Sequence, residues 1–220
     1  MLEQHFVATS VLPTELVHTA AAAVRVVCIS DTHGEHRQLQ VPDGDLLIHA
    51  GDITEHGESE QIEDFERWMG ELPHPHKIVI AGNHDTILDK SWAGSMGKAV
   101  VAESRRTRLM MERSPHFIYS EGGAFEVLGL KIYASPWTPK PAGGHGKTWA
   151  FGGKRTAAHA EWGKIPTDTQ LLVTHGPPLG LNDRPSGETT SAGPASWGCE
   201  PVVGCHSAGE AYVPCVWTHP

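Results

Sequence analysis

Three features of the sequence predict an α/β layered fold. Four short runs of Val, Ile and Leu are nearly unbroken, each is followed at once by a polar cluster, and an amphipathic segment separates the second run from the third. Runs of that length and composition suit strands buried on both faces. Strand, helix and strand in succession place the natural site in the loops at strand C-terminal ends.

The first run is VRVVCIS (24–30), ahead of DTHG; the second is DLLIHA (45–50), ahead of GD. KIVIA (77–81) precedes GNHD, and QLLVT (170–174) precedes HGPP. Between the second and third runs, Ile62, Phe65, Met69 and Leu72 recur at helical spacing among charged residues, which predicts an amphipathic helix. Residues 99–113 read as another helix, and residues 117–134 as strands joined by Gly-containing turns. The Gly/Pro-rich stretches Pro139–Gly153 and Asn182–Gly198 read as long surface loops, a common place for function. The domain is expected over 24–200, after an extension (1–23) without clear periodicity and before a divergent segment (201–220).

Composition narrows the class. At 220 residues the chain is long enough to bury a core without staples, and 39% hydrophobic with 20% charged residues is ordinary for a globular protein. No apolar run approaches the ~18 residues of a membrane span. Leu16–Val27 is interrupted by His18 and Arg25, and residues 1–10 carry Glu3 but no Lys or Arg, a poor secretory signal. A net charge of −9, with Arg105, Arg106 and Arg108 the one tight basic group, argues against a long phosphate-backbone footprint. Cys28 inside an apolar run reads as a buried thiol, while Cys199, Cys205 and Cys215 crowd the end of the chain, so a reduced, cytoplasmic protein is expected. The 15 histidines are unusual, and packing alone does not demand so many.

Where they fall is informative. Asp31 and His33 follow the first strand, Asp52 the second, Asn83 and His84 the third, and His175 the fourth. Any one of them has an ordinary explanation as a turn or cap residue. Together, at four strand ends on one sheet edge, they stack oxygen and imidazole donors into one pocket. That donor set suits Zn, Mn or Fe rather than Ca.

The order Asp-x-His, Gly-Asp, Gly-Asn-His-Asp, Thr-His-Gly resembles the calcineurin-like metallophosphoesterase superfamily. GDITEHG, ASPWTP (134–139), WAF (149–151), THGPPLG (174–180) and Gly198-Cys199-Glu200 are similar to the metallophosphoesterase-domain-containing subgroup, allied to the class III cyclic nucleotide phosphodiesterases. The resemblance implies a four-layer α/β/β/α sandwich with its C-terminal part incomplete, and two divalent metal ions. It implies that Asp31 and His33 bind the first metal, that Asp52 bridges both, and that Asn83 and His175 bind the second. His84 would stand unligated over the phosphate as proton donor, with Asn83 beside it. The implied activity is hydrolysis of phosphodiesters, cyclic nucleotides among them, by attack of a hydroxide shared between the metals. The alternative is a catalytically impaired member that binds nucleotide or a protein partner.

Other residues have two readings. Glu55 falls where the superfamily often has an acidic partner for the histidine, but a solvated loop carboxylate explains it equally well. Asp85 reads as an exposed helix-start charge. Trp137 and Trp149 either line the cleft, where a base could stack, or are core aromatics.

The superfamily closes its site with Gly-His-x-His, and no such motif occurs here. VWTHP is similar to the strand that should carry it, which makes His219 the first of the two expected ligands. His206 is a rival without a preceding strand, and a zinc knot of Cys199, Cys205, His206 and Cys215 has no usual spacing.

Overall fold

A computed structural model describes residues 8–11, 24–139, 149–176, 189–190, 193–194 and 211–212. Strands β1 (Ala8–Val11), β2 (Arg25–Ile29), β3 (Leu46–Ala50), β4 (His76–Ile80) and β5 (Ile118–Ser120) form one sheet in that order. The pairs from β2 to β5 are parallel, and β1 runs antiparallel to β2. Strands β6 (Gly123–Val127) and β7 (Leu130–Ser135) make a hairpin in a second sheet. Two shorter strands follow, β8 (Thr138–Pro139) and β9 (Gly152–Gly153), which pair in parallel. Then β10 (Leu171–Thr174) lies parallel to β7. A small hairpin of β11 (Thr189–Thr190) and β12 (Gly193–Pro194) comes next, and β13 (Ala211–Tyr212) pairs in parallel with β10.

Side-chain alternation along the strands builds the layers. Val26 and Cys28 of β2, Leu46 and Ile48 of β3, and Ile78 and Ile80 of β4 face one way. They pack on Val127, Ile132, Ala134, Leu171 and Val173 of the second sheet. The intervening Val27, Ile29, Leu47 and Val79 face the other way, onto Ile62, Phe65 and Met69 of helix α1 (Ser59–Glu71) and Met111 of a later helix, Lys98–Arg113. Helix α2 (Lys90–Met96) leads into that helix, here α3. On the outer face of the second sheet, Tyr133 and Leu172 pack on Ala158 and Trp162 of α4 (Ala158–Trp162). Helix, sheet, sheet, helix is the four-layer sandwich, with both sheets buried on both faces.

Every apolar run read from the sequence is a strand, and the expected helices are α1 and α3. Two readings change. The ends of the 139–153 stretch are paired strands rather than open loop, because Thr138 donates its N–H to Phe151 O at 3.2 Å. The four site-bearing strands also do not share a sheet: β2, β3 and β4 are neighbours, but β10 belongs to the facing one. A donor after β10 therefore reaches the site from across the sandwich. Asn182–Gly198 is described only at β11 and β12, and the 201–220 segment only at β13; His219, His206, Cys199, Cys205 and Cys215 lie outside the described residues.

Cys28 is buried between the sheets, and burial pushes its thiol up to about 12, so it behaves as a small apolar side chain. Two of the three arginines in the basic group on α3 are engaged with carboxylates: Arg106 holds Glu63 at 2.7 Å and Arg108 holds Glu121 at 2.9 Å. Among the described residues no helix is long and apolar enough to cross a membrane.

Phe65 stands at the centre of the helix-side core, fully buried, with ring contacts to His36, His49, Trp68 and Phe117. Replacing it with Ala removes that packing and leaves a cavity. Phe65→Ala is expected to lower the unfolding free energy by about 3–5 kcal/mol, measured by urea denaturation.

Candidate metal centre

The polar clusters after β2, β3, β4 and β10 meet at one end of the sandwich, and the backbone there is bent to bring them together. Asp31 (φ 56°), His33 (φ 43°) and Asp52 (φ 53°) all occupy the left-handed region, which costs a side-chain-bearing residue of order 1–3 kcal/mol. Backbone hydrogen bonds hold the bends, with Asp31 N–H donating to Gly51 O at 2.9 Å and His33 N–H to Asp52 O at 3.1 Å. Gly51 and Gly82 are required by close approach. A Cβ on Gly51 would lie 2.6 Å from His175 Nδ1, and one on Gly82 would lie 2.2 Å from Asp52 Oδ1.

Asp52 sits at the middle, almost fully buried, and its two oxygens face two sets of donors. Oδ1 lies 3.4 Å from His175 Nε2 and accepts the His84 N–H at 2.8 Å; Oδ2 lies 3.9 Å from His33 Nε2. Ligand atoms of Asp31, Asp52 and His175 come within 4.8 Å of one another, as do those of His33, Asp52 and His84. Asn83 Oδ1 adjoins the first group, 3.0 Å from His175 Nε2. Asp31, His33, Asp52, Asn83, His84 and His175 are thus one constellation, joined through the Asp52 carboxylate.

The imidazoles are oriented by backbone carbonyls. His175 donates from Nδ1 to Ala50 O at 2.9 Å, and His33 from Nδ1 to Thr54 O at 3.0 Å, so both present Nε2 to the centre. His84 donates from Nδ1 to the main-chain oxygen of Glu55 at 2.5 Å, so Glu55 touches it through its backbone. The exposed Glu55 carboxylate lies instead 3.7 Å from His33 Nδ1.

Burial of these charges shifts them. Burial raises the Asp31 carboxyl, His175 opposes that and Asp52 adds to it, leaving Asp31 at about 6. Burial would lower His175, but the Asp52 and Asp31 carboxylates outweigh it and hold the imidazole up at about 10. Asp52 is lowered, since His175 and the His84 contacts overcome the cost of burial. Asp31 Oδ2 is fully buried without a hydrogen-bond partner. Two buried carboxylates, an orphaned carboxylate oxygen and a histidine that stays charged only by holding a proton between them are a cation's coordination environment. Carboxylate, imidazole and amide donors fit a divalent ion of the Mn, Fe or Zn kind.

Residues outside the predicted set support this constellation. Asp85 is fully buried rather than an exposed helix-start charge. Its carboxylate accepts N–H bonds from Ile53 (3.2 Å), Thr54 (2.9 Å) and Gly82 (2.8 Å), and the Thr54 hydroxyl at 2.9 Å. It ties the loop after β3 to the loop after β4. Burial and the neighbouring Asp52 both raise it. His49 is also buried; it accepts the Gly51 N–H at Nδ1 (3.4 Å) and donates from Nε2 to Thr32 Oγ1 at 3.0 Å. Burial lowers it to about 3, which keeps it neutral. The clue to Asp85 in the sequence is a carboxylate directly after Asn83-His84; nothing marks His49 apart from its place in an apolar run.

The tryptophans part company. Trp149 meets His84 edge-on with ring centroids 4.9 Å apart, and its ring system is 38% exposed as a residue. Trp137 packs on Trp162 at 5.0 Å and against Gly153, lining a separate cavity of about 140 Å³ with Tyr133, Phe151 and Lys164.

Residues 24–199 match the calcineurin-like phosphoesterase family. The chain belongs to that family. It is 39% identical over 168 residues to the human protein named metallophosphoesterase domain-containing protein 1, an alignment covering 72% of this chain and 50% of that protein. A UPF0046 protein of Caenorhabditis elegans is 37% identical over 164 residues, 73% of this chain and 56% of the relative. An Emericella nidulans protein named probable rhamnogalacturonate lyase C is 44% identical over 155 residues, 70% of this chain but 14% of that protein. The chain thus spans about half the length of the first two relatives and a small part of the third.

Removing the Asp85 carboxylate leaves three buried N–H groups unpaired, each costing ~1–3 kcal/mol. Asp85→Ala is therefore expected to lower stability by at least about 3 kcal/mol and to weaken metal uptake. Thermal unfolding and metal analysis of the purified variant check both.

Proposed function

We propose that this chain is a metal-dependent phosphodiesterase acting on small diesters, cyclic nucleotides among them. The observation that carries the proposal is the Asp52 carboxylate with donor sets on both sides, the arrangement two adjacent cations need. Asp31 and His33 would hold one ion, Asn83 and His175 the other, and Asp52, the residue common to both groups of donors, would contribute to each. Two divalent ions of manganese, iron or zinc, when bound, supply an acidified water and neutralise phosphate charge during in-line displacement.

The chain's own groups account for the remainder. Asp52 presents Oδ1 on the His175 side and Oδ2 on the His33 side, while its main-chain oxygen accepts the His33 N–H. His33 and His175 would each offer Nε2 to a cation, because each directs Nδ1 to a main-chain carbonyl. His84 is held at Nδ1 by Glu55 O, which leaves Nε2 to carry a proton to the leaving oxygen. The Asn83 side chain adds an amide beside the phosphate position. Net negative charge, with Arg106 and Arg108 of α3 engaged by carboxylates, favours a small substrate over a long nucleic acid.

Turnover of bis-p-nitrophenyl phosphate and cyclic AMP with added Mn or Fe is the test. Asp52→Ala is expected to abolish activity and reduce bound metal below two ions per chain. His84→Ala should lower kcat by about 10²–10⁴ with metal content unchanged. No turnover of either diester with either metal would sink the reading. Faster turnover of p-nitrophenyl phosphate than of its diester would reassign the chain to monoesters.

A further inference from the structure

The segment carrying Trp149 is fastened to the site by two main-chain N–H bonds. Ala150 donates its N–H to Asn83 O at 3.1 Å, and Phe151 donates its N–H to Asp89 Oδ2 at 2.7 Å. Phe151 adopts φ 53°, a conformation that persists only where surrounding contacts over-determine it. Asp89 divides its carboxylate: Oδ1 caps α2 by accepting the N–H groups of Ser91 (2.7 Å) and Trp92 (3.2 Å), and Oδ2 takes Phe151. These bonds bring the Trp149 ring edge-on against His84 while leaving it 38% exposed.

We infer that Trp149 is a substrate-binding wall for an aromatic group on the diester, an aryl ring or a nucleobase, and that Asp89 is the positioning residue that sets it. The inference rests on the phosphodiesterase reading of this site. His84 faces the leaving oxygen in that reading, so a ring on the ester it serves meets Trp149. An exposed indole offers such a ring stacking area at little entropic cost. The clamp fixes the indole before substrate arrives, so that binding need not order it.

Asp89→Ser separates the two duties of the residue: Ser still caps a helix, but its side chain is too short to serve both α2 and Phe151. The experiment measures KM and kcat on bis-p-nitrophenyl phosphate for Asp89→Ser, Trp149→Ala, the double variant and Trp149→Phe, with melting temperature and metal content recorded for each. Both single variants are expected to raise KM about tenfold, as loss of one stacked ring does, with kcat changed less than about threefold. The double variant should be no worse than the poorer single one, since the clamp acts through the ring, and Trp149→Phe should retain most of the affinity. An unchanged KM in Trp149→Ala, or additive losses in the double variant, would overturn the inference while leaving the phosphodiesterase reading intact. A wild-type chain inactive on the diester would overturn both.

Discussion

One carboxylate organises this end of the molecule. Asp52 lies between the loops of two facing sheets, in a left-handed backbone conformation, with donors on either side of it. That position is available only because Gly51 and Gly82 have no side chains where His175 and Asp52 must pass, and because Asp85 gathers the N–H groups of both adjoining loops. Main-chain bonds from Asp31 to Gly51 and from His33 to Asp52 hold the left-handed bends of the site residues.

Charge explains why this arrangement calls for a cation. Three carboxylates, Asp31, Asp52 and Asp85, are buried within a few residues of strand ends. Asp85 satisfies itself with neutral donors, a full set of them. Asp31 and Asp52 do not, and between them His175 must stay protonated against the cost of its own burial. Buried charge of this kind is costly unless paired, and a divalent ion pairs it better than a single proton can.

Among the described residues the histidines serve more than one purpose. His33, His84 and His175 face the centre, with His56 stacked near His84. His36, His49 and His74 are buried elsewhere, each bonded through Nε2 to Asp64, Thr32 or Pro42 O. Packing thus uses several histidines after all, as neutral or singly bonded core groups, and a count could not separate them from ligands.

Much of the protein was legible along the chain. Unbroken apolar runs give strands whatever their partners, and helical spacing from Ile62 to Met69 gives α1, because both patterns are local. The donors at strand ends were legible too, since a parallel strand delivers its next residues to one edge. What needed the tertiary structure was every relation across the layers. His175 arrives from the opposite sheet, a pairing of β10 with β7 that no local pattern announces. Asp85 and Asp89 owe their roles to loops 32 and 62 residues away, and Trp149, not Trp137, meets His84 because β8 and β9 pair. The residue types that do the chemistry follow from the sequence by itself; which of them share a space follows from the packing of two sheets, since contacts between distant segments depend on the whole core and not on the residues that make them.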